Sequence, residues 1–362
     1  MASADTGRSR KRSLRILGLT LLAAAAIVAG WTWWAEAHPR DERQLRQLVH
    51  DRLNAWFPQQ MSPDDGWHGL HQRAVPVSAD GPVVVLIHGL DDPGTIWDDL
   101  APALQDAGFE VWELHYPNDQ GIDRSADFLA ERWSALPDDR PAVLIGHSMG
   151  GLVARDFVSR WRHPVGASPR VLGPPVRGVI LAGTPNHGSE WARLRIWMEL
   201  RDQFSTAAQR RFSLFAALRD GAGEAKIDLR PGSQFLEQLN ARPWPASVPI
   251  LSIGGQLIAP TADLSAGLAA ASAETGSGEL QRLLDDWWTG IGDGLGDGVV
   301  TLDSLRIPGA PPPIIVHASH RGMLHRLLPG DPEPPAIAPI LATLDGWRST
   351  HAEDRRPTAP RG

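Results

Sequence analysis

The sequence predicts an α/β fold in which helices cover both faces of a mostly parallel sheet. Short apolar runs, rich in β-branched residues and bounded by turn residues, have the length and composition of strands buried on both faces. Helical patterns such as Ser125–Trp133 and Leu152–Trp161 fall between these runs, and strands that alternate with helices indicate parallel pairing. The predicted strands are Val83–Ile87, Glu110–Leu114, Ala142–Ile145, Val179–Leu181, Ile250–Ile253 and Ile314–Val316.

Composition and charge restrict the possible functions. The chain has 362 residues, of which 42% are hydrophobic and 21% are charged, enough for a substantial buried core. It contains no cysteine, which excludes disulfide frameworks, zinc–thiolate sites, iron–sulfur clusters and cysteine nucleophiles. Residues 1–15 carry a charge of +4, and because the whole chain carries −7, the remainder carries −11. A body this acidic predicts no binding to nucleic acid, since that affinity depends on neutralising phosphates.

The N-terminal segment, residues 1–37, predicts a membrane-directing element. Ile16–Ala35 contains no charged residue, and a helix of this length covers about 30 Å, one hydrocarbon thickness. Basic residues precede it, and three tryptophans lie at its far end, where indole rings favour the headgroup layer. We therefore expect a single-pass anchor with the rest of the chain outside the cytoplasm. The alternative is a signal peptide cleaved near Ala37, after an Ala-x-Ala pattern, which would give a secreted protein.

The remainder divides into three parts. Residues 38–74 predict a juxtamembrane amphipathic helix followed by a linker, residues 75–347 form the main domain, and residues 348–362 are a polar, Pro-containing segment expected to be a flexible tail. The apolar face of the helix either packs on the body or lies on a membrane surface, and packing on the body is the simpler interpretation. This face consists of Leu45, Leu48, Val49, Leu53 and Trp56.

The sequence around Ser148 has the features of an exposed nucleophile. It reads Gly-His-Ser-Met-Gly, follows a predicted strand and begins a predicted helix. A serine on such a tight turn is held in a strained conformation that exposes its hydroxyl, and the flanking Gly146 and Gly150 keep side chains from colliding across the turn. The helix N-terminus favours developing negative charge. Ser148 is therefore the predicted nucleophile of an acyl transfer, with the Met149 amide as one donor of the oxyanion hole.

A second oxyanion donor is predicted at the end of an earlier strand. Val83–Ile87 runs directly into His88-Gly89-Leu90. Glycine lets the backbone turn here, so that the Leu90 amide is directed toward the nucleophile. We expect His88 to brace this loop rather than to take part in the chemistry.

These features resemble the α/β-hydrolase superfamily, and within it the bacterial lipases and the PGAP1-like serine esterases. The resemblance spans about residues 75–345. The motifs that carry it are Ile87-His88-Gly89-Leu90, Gly146–Arg155, Gly183-Thr184-Pro185-Asn186-His187-Gly188-Ser189 and Asp297-Gly298-Val299-Val300. It implies an α/β-hydrolase fold that acts on lipid or other acyl esters, although one fold hosts many chemistries.

The resemblance also implies two insertions in the main domain. Between about residues 189 and 248 the rhythm of strands stops, and apolar residues at helical spacings occur among arginines. In a hydrolase this is the place of a helical cap, which shapes an acyl pocket or packs on the core. Residues from about 261 to 296 form a second insertion with an Ala-rich helix.

In this fold the catalytic residues follow the order Ser, acid, His along the chain. His320, in a Ser-His-x-Gly pattern after the last predicted strand, is the expected base, and His325 is the alternative. Asp297, in the Asp-Gly-Val-Val pattern of lipase acids, is the expected acid, and Asp293 is the alternative. Ser148 would attack the ester carbonyl, His320 would transfer the proton, and Asp297 would hold the imidazole tautomer.

We therefore expect a carboxylic ester hydrolase, a lipase or esterase, that forms an acyl-enzyme on lipid or other acyl esters. Two alternatives stay open: an acyltransferase that uses the same three residues, and a non-catalytic lipid-binding protein on a hydrolase fold. No cofactor is expected. No metal-ligand spacing emerges, and calcium is suggested only by analogy with lipases. The N-terminal segment is the expected contact with a membrane.

Overall fold

The computed structural model describes residues 18–57, 67–74, 81–190, 223–257 and 290–354, apart from residues 21, 24, 25, 28, 32, 36, 91 and 291. In these ranges the strands form one seven-stranded sheet with the order β1-β3-β2-β4-β5-β6-β7. All neighbours pair in parallel except β1 and β3, which are antiparallel. The strands are β1 (Gly69–Ala74), β2 (Val83–Ile87), β3 (Glu110–His115), β4 (Ala142–His147), β5 (Val176–Ala182), β6 (Ile250–Gly255) and β7 (Ile314–Val316).

Helices separate the strands, so the predicted α/β fold with a mostly parallel sheet is confirmed. The helices are α1 (Pro39–Trp56), α2 (Leu100–Asp106), α3 (Ile122–Arg132), α4 (Met149–Phe157), α5 (Glu224–Asp228), α6 (Gln234–Ala241) and α7 (Ile337–Asp354). Short 3-10 turns occur at Thr95–Trp97, Trp133–Ala135 and Asp303–Leu305. A π-helical turn, Val158–Arg162, continues α4.

The core lies on both faces of the sheet. Every residue of β2 is completely buried, and its side chains alternate between two apolar clusters as strand geometry requires. Trp133 and Phe157 pack on one face, whereas Trp97 and Phe109 pack on the other. The carboxyl ends of the parallel strands therefore meet at one edge of a rigid sheet, where ligands bind in open α/β folds.

Strand β1 was not predicted, because it lies in the segment assigned to a linker. It pairs with β3 from Gly69 opposite His115 to Ala74 opposite Val111, with an irregularity between Gln72 and Ala74. Its sequence, GLHQRA, contains no apolar run. An edge strand with one neighbour does not need to be apolar on both faces, so the pattern that reveals buried strands misses it.

Helix α1 confirms the predicted helix, but it contacts the body through charged side chains. Glu42 is completely buried and accepts hydrogen bonds from Arg46 (2.7 Å) and Arg230 (3.0 Å). Arg43 pairs with Asp228 of α5 at 2.8 Å. The exposed apolar residues of this helix include Leu45, Leu48, Val49 and Trp56. The interpretation that this apolar face packs on the body is therefore wrong.

The single-pass anchor predicted for residues 1–37 requires correction. Across the described parts of the chain, no helix combines the length and the apolar character needed to cross a membrane. Ala35, near the end of the predicted segment, is buried, and its carbonyl oxygen accepts a hydrogen bond from Arg230 (3.4 Å). This end of the segment therefore contacts protein. The membrane anchor and the membrane contact are not supported, whereas export with cleavage near Ala37 stays a prediction.

Large parts of the two predicted insertions lie outside the described residues. These parts are residues 191–222 of the cap at about 189–248, and residues 261–289 of the insertion at about 261–296. Of the predicted tail at 348–362, residues 355–362 also lie outside, and α7 continues through Asp354. The proposed domain boundaries therefore stay predictions.

Candidate active site

Ser148 occupies the turn between β4 and α4. Its backbone angles are φ +54° and ψ −126°, and it is the single non-glycine residue with positive φ in the described part of the chain. Its N–H donates to the carbonyl oxygen of Ala182 at the end of β5 (2.8 Å). Such a conformation costs about 1–3 kcal/mol and persists only where the surrounding structure imposes it. The serine is thus held in a strained, partly exposed position at the carboxyl end of the sheet.

The two glycines beside Ser148 are required by close approach of the backbone. A Cβ atom on Gly150 would lie 2.0 Å from the carbonyl oxygen of Ile87, and one on Gly146 would lie 2.4 Å from the backbone of Gly151. Neither position can hold a side chain without displacing main-chain atoms. The glycines therefore let α4 start directly against the end of β2.

The β2 loop, defined as residues 88–99, lies against Ser148. A Cβ atom on Gly89 would lie 2.9 Å from the Cβ of Ser148. The carbonyl oxygen of Gly89 lies 2.9 Å from His88 Nδ1 and accepts a hydrogen bond from Asn118 (3.4 Å). Because C=O and the following N–H point in opposite directions across a trans peptide, the Leu90 amide points away from His88 and Asn118. The Leu90 amide therefore lies on the opposite side of the peptide from these two side chains, which hold the loop through the Gly89 carbonyl.

His88 holds the β2 loop, as expected. Its side chain is buried, and the Tyr116 hydroxyl donates to its carbonyl oxygen (2.6 Å). Burial lowers the pKa of His88, so its imidazole is neutral and one ring nitrogen can donate to the Gly89 carbonyl. The second predicted oxyanion donor, Met149, is the first residue of α4, and the first amides of a helix have no acceptor within the helix.

Asp297 and His320 are brought together by the fold. Asp297 Oδ2 lies 2.7 Å from His320 Nδ1, and the N–H of His320 donates to the Asp297 carbonyl (2.9 Å). The Asp297 side chain is 1% exposed, and its second oxygen accepts from the amides of Val299 (2.9 Å) and Val300 (2.8 Å). The carboxylate is thus fixed by three hydrogen bonds. In the neutral imidazole, Nδ1–H then donates to Asp297 and Nε2 is the acceptor.

The two alternative residues lie elsewhere. The Asp293 carbonyl accepts from the Leu302 amide (3.1 Å), and its side chain is 3.5 Å from the Gln256 amide nitrogen. His325 Nδ1 lies 3.3 Å from the carboxylate of Asp99. Neither residue joins the Asp297–His320 pair. The geometry therefore favours the first choice for both the acid and the base.

His147 contacts His320 in a way that the sequence did not indicate. Its Nε2 lies 3.0 Å from the carbonyl oxygen of His320, and the two ring centroids are 4.7 Å apart. Burial and the neighbouring His320 lower the pKa of His147 to about 3, so its ring is neutral and its Nε2–H donates to that carbonyl. No local pattern predicts a contact between positions 173 residues apart. His147 precedes the proposed nucleophile in the chain, and its position in the motif did not reveal this contact.

A polar cleft of about 280 Å³ opens beside the β2 loop. Its walls come from this loop, from the segment after β3 and from the two residues before β1. The polar side chains that line it include His68, His88, Asp92, Asn118 and Gln120. The cleft has room for part of a small polar ligand.

One family model and several solved structures are similar to this chain. A family model described as the alpha/beta hydrolase family matches residues 84–325. A mature lipase from Bacillus licheniformis is 18% identical over 77% of this chain and 99% of its own, with a TM-score of 0.47. A metagenomic carboxyl esterase is 17% identical over 85% and 91%, with a TM-score of 0.49. A type II thioesterase from the yersiniabactin pathway is 15% identical over 77% and 98%, with a TM-score of 0.45.

The family model and the solved structures differ in the conclusions that they support about this chain. No curated protein matches the chain, and no conclusion about this chain is drawn from solved structures that are this distant, with TM-scores below 0.5. The narrower resemblance to bacterial lipases and PGAP1-like esterases therefore stays a prediction. The family model, by contrast, covers more than half of the sequence and includes the strands and loops that carry Ser148, Asp297 and His320. The chain is a member of the alpha/beta-hydrolase family.

Proposed function

We propose that this protein is a serine carboxylic ester hydrolase in which Ser148, His320 and Asp297 form the catalytic triad. The observation that carries the proposal is the buried Asp297–His320 pair, with 2.7 Å between Oδ2 and Nδ1. A carboxylate in this position fixes the imidazole tautomer whose Nε2 can accept a proton. The strained turn at Ser148 supplies a nucleophile at the same edge of the sheet.

The reaction follows from these groups. Ser148 Oγ attacks the ester carbonyl while His320 Nε2 accepts the hydroxyl proton, and Asp297 stabilises the resulting imidazolium. The amides of Leu90 and Met149 donate to the oxyanion, and the N-terminus of α4 adds a favourable field. His320 then protonates the leaving alcohol. Water attacks the acyl-enzyme with His320 as base, which releases the acid and restores Ser148.

The substrate class in this proposal is an ester of a carboxylic acid, including lipid esters. The chemistry of the three residues supports this class, because a serine activated by an imidazole attacks the carbonyl carbon of an ester. A panel of p-nitrophenyl esters from acetate to palmitate, assayed with and without a lipid interface, would define chain length. Preference for short soluble esters without interfacial gain would identify an esterase rather than a lipase.

Turnover by matched variants tests the triad. Ser148→Ala and His320→Gln should each lower kcat on p-nitrophenyl butyrate by at least about 10³-fold. Ser125→Ala, which removes a buried serine of α3, and His325→Gln are the controls and should stay within about twofold. Unchanged turnover in Ser148→Ala would refute the proposal. Product analysis with added alcohol would reveal an acyltransferase, and absence of turnover on the whole panel would favour a non-catalytic binding protein.

A further inference from the structure

Two loops that carry proposed catalytic groups are joined by ion pairs. The β2 loop carries Leu90, and the β7 loop, defined as residues 317–326, carries His320. Asp92 of the β2 loop contacts Arg321 of the β7 loop, and Asp99 contacts Arg326 further along both loops. These loops follow strands that are not neighbours in the sheet, so side-chain contacts have to set their relative position.

The Asp92–Arg321 contact is well defined. Asp92 Oδ2 lies 2.6 Å from an Arg321 guanidinium nitrogen, and a second guanidinium nitrogen donates to the Thr95 hydroxyl (3.2 Å). Asp92 Oδ1 accepts from the amides of Gly94 (2.8 Å) and Ile96 (3.4 Å). One carboxylate therefore fixes the turn of its own loop and binds the opposite loop. A guanidinium is suited to this because its donors form a planar fork.

Burial distinguishes this ion pair from an ordinary surface pair. The Asp92 side chain is 5% exposed, whereas Arg321 is 42% exposed. Burial would raise the pKa of Asp92, but the Arg321 charge and the two backbone amides together hold it below its ordinary value. Asp92 is therefore ionised throughout the neutral range. Because its charge has little access to water, loss of Arg321 would leave it poorly compensated.

The position of the pair along the chain gives it a role. Arg321 directly follows His320, whose backbone is already held by Asp297 and by His147. Asp92 lies two residues after Leu90. In acyl transfer the reacting carbonyl must lie about 3 Å from both the nucleophile and the oxyanion donors, and a shift of about 1 Å costs about 100-fold in rate.

We propose that Asp92 and Arg321 are positioning residues whose ion pair keeps the Leu90 amide and the His320 imidazole in register around Ser148. This inference rests on the proposed ester-hydrolase function. Neither side chain touches the reacting atoms in this mechanism. Breaking the pair should therefore slow the chemical steps and leave ground-state binding of a small ester unchanged.

The chain supplies a matched control. Asp99 and Arg326 join the same two loops, and the Arg326 amide also donates to the Asp99 carboxylate (2.8 Å). Neither residue adjoins Leu90 or His320 in the sequence. If any contact between the two loops were sufficient, breaking the Asp99–Arg326 pair would lower kcat as much as breaking the Asp92–Arg321 pair. If the relative position of the Leu90 amide and the His320 imidazole matters, only the Asp92–Arg321 pair should control kcat.

The test compares kcat and KM for p-nitrophenyl butyrate in Asp92→Asn, Arg321→Gln, their double variant and Arg321→Lys. We expect kcat to fall by about 10- to 100-fold in both single variants, with KM within twofold. The double variant should be no slower than the slower single variant, because both remove one interaction. Arg321→Lys should recover part of kcat. Asp99→Asn and Arg326→Gln should stay within twofold, and circular dichroism should verify the fold of every variant.

The outcomes separate this inference from the proposed function. Ser148-dependent turnover in the wild type, with kcat unchanged in Asp92→Asn and Arg321→Gln, would overturn the inference alone. An equal loss of kcat in the Asp99 and Arg326 variants would also overturn it, because the effect would then be general to the loops. Absence of Ser148-dependent turnover in the wild type would overturn the proposed function and this inference together.

Discussion

His320 Nδ1 lies 2.7 Å from Asp297 Oδ2, although 23 positions separate the two residues. The contact forms because a turn before Val300 and the loop after β7 converge at the carboxyl edge of the sheet. Two backbone amides hold the other carboxylate oxygen. The imidazole therefore has one nitrogen fixed by the acid and the other available for proton transfer.

The role of Asp297 predicts a sharp difference between two neighbouring aspartates. Asp297→Asn should lower kcat by about 10³- to 10⁴-fold, because an amide cannot hold the same tautomer of His320. Asp293→Asn should leave kcat within about twofold, since Asp293 contacts Gln256 rather than a histidine. Steady-state hydrolysis of p-nitrophenyl butyrate measures both. Equal losses would show that the acid is wrongly assigned.

The backbone strain at Ser148 predicts a gain in stability when its Cβ is removed. Both Ser148→Gly and Ser148→Ala delete the hydroxyl, but only glycine adopts φ +54° without a steric cost. We expect Ser148→Gly to be more stable than Ser148→Ala by about 1 kcal/mol. Urea unfolding of the two inactive variants gives this difference directly. A more stable alanine variant would mean that the turn is not strained.

His147 predicts a pH dependence of stability. The unfolded chain protonates this histidine near its ordinary pKa of about 6.5, whereas the folded chain protonates it only near 3. Its contribution is therefore complete above pH 6.5 and is lost progressively as the pH falls toward 3. His147→Asn lacks this titration. The stability advantage of the wild type over this variant should shrink by roughly 3 kcal/mol between pH 7.5 and pH 4.5, as measured by chemical unfolding. A constant difference would contradict the neutral buried state.

Because α1 contacts the body through charged side chains, a substitution on its polar face should lower the free energy of unfolding more than one on its apolar face. Glu42→Ala leaves Arg230, whose side chain is 7% exposed, without its carboxylate partner. We expect a loss of about 3 kcal/mol in the free energy of unfolding. Leu48→Ala, at a residue that is 54% exposed, should change it by less than about 0.5 kcal/mol. Thermal and urea unfolding of both variants measure these changes in stability. The reverse order would place the apolar face against the body.

The parts of the fold that the sequence predicts are those in which a local apolar pattern corresponds to a buried element. Val83–Ile87 is apolar at every position, since β2 is covered on both faces, and it was predicted with its observed bounds. Gly69–Ala74 was missed because an edge strand needs no such run. The mode of attachment of α1 was wrong because helical spacing reveals an apolar stripe but not the buried Glu42 that holds the helix. The anchor prediction was based on the uncharged stretch and on the basic and tryptophan residues that flank it, and none of these reveals a contact such as that of Ala35 with Arg230.

The candidate site likewise contains residues that the sequence predicts and contacts that it does not. Ser148 and its two glycines form a local turn, so their spacing was informative. Asp297 and His320 were named through the order of motifs along the chain, and the geometry brings them into contact. The interactions of His147 with His320 and of Asp92 with Arg321 join segments 173 and 229 positions apart. Such pairs depend on the assembled sheet, and no single-sequence pattern encodes them.

Peptide mapping by mass spectrometry after reaction with a fluorophosphonate probe tests most directly whether Ser148 is the nucleophile and His320 its base. Ser148 should carry one phosphonyl adduct, with no adduct on other serines. His320→Gln should slow labelling by at least about 100-fold, because the hydroxyl then lacks its base, whereas His325→Gln should label at the wild-type rate. Labelling at another serine would contradict Ser148 as the nucleophile, and equal labelling of Ser148 in His320→Gln would contradict His320 as its base.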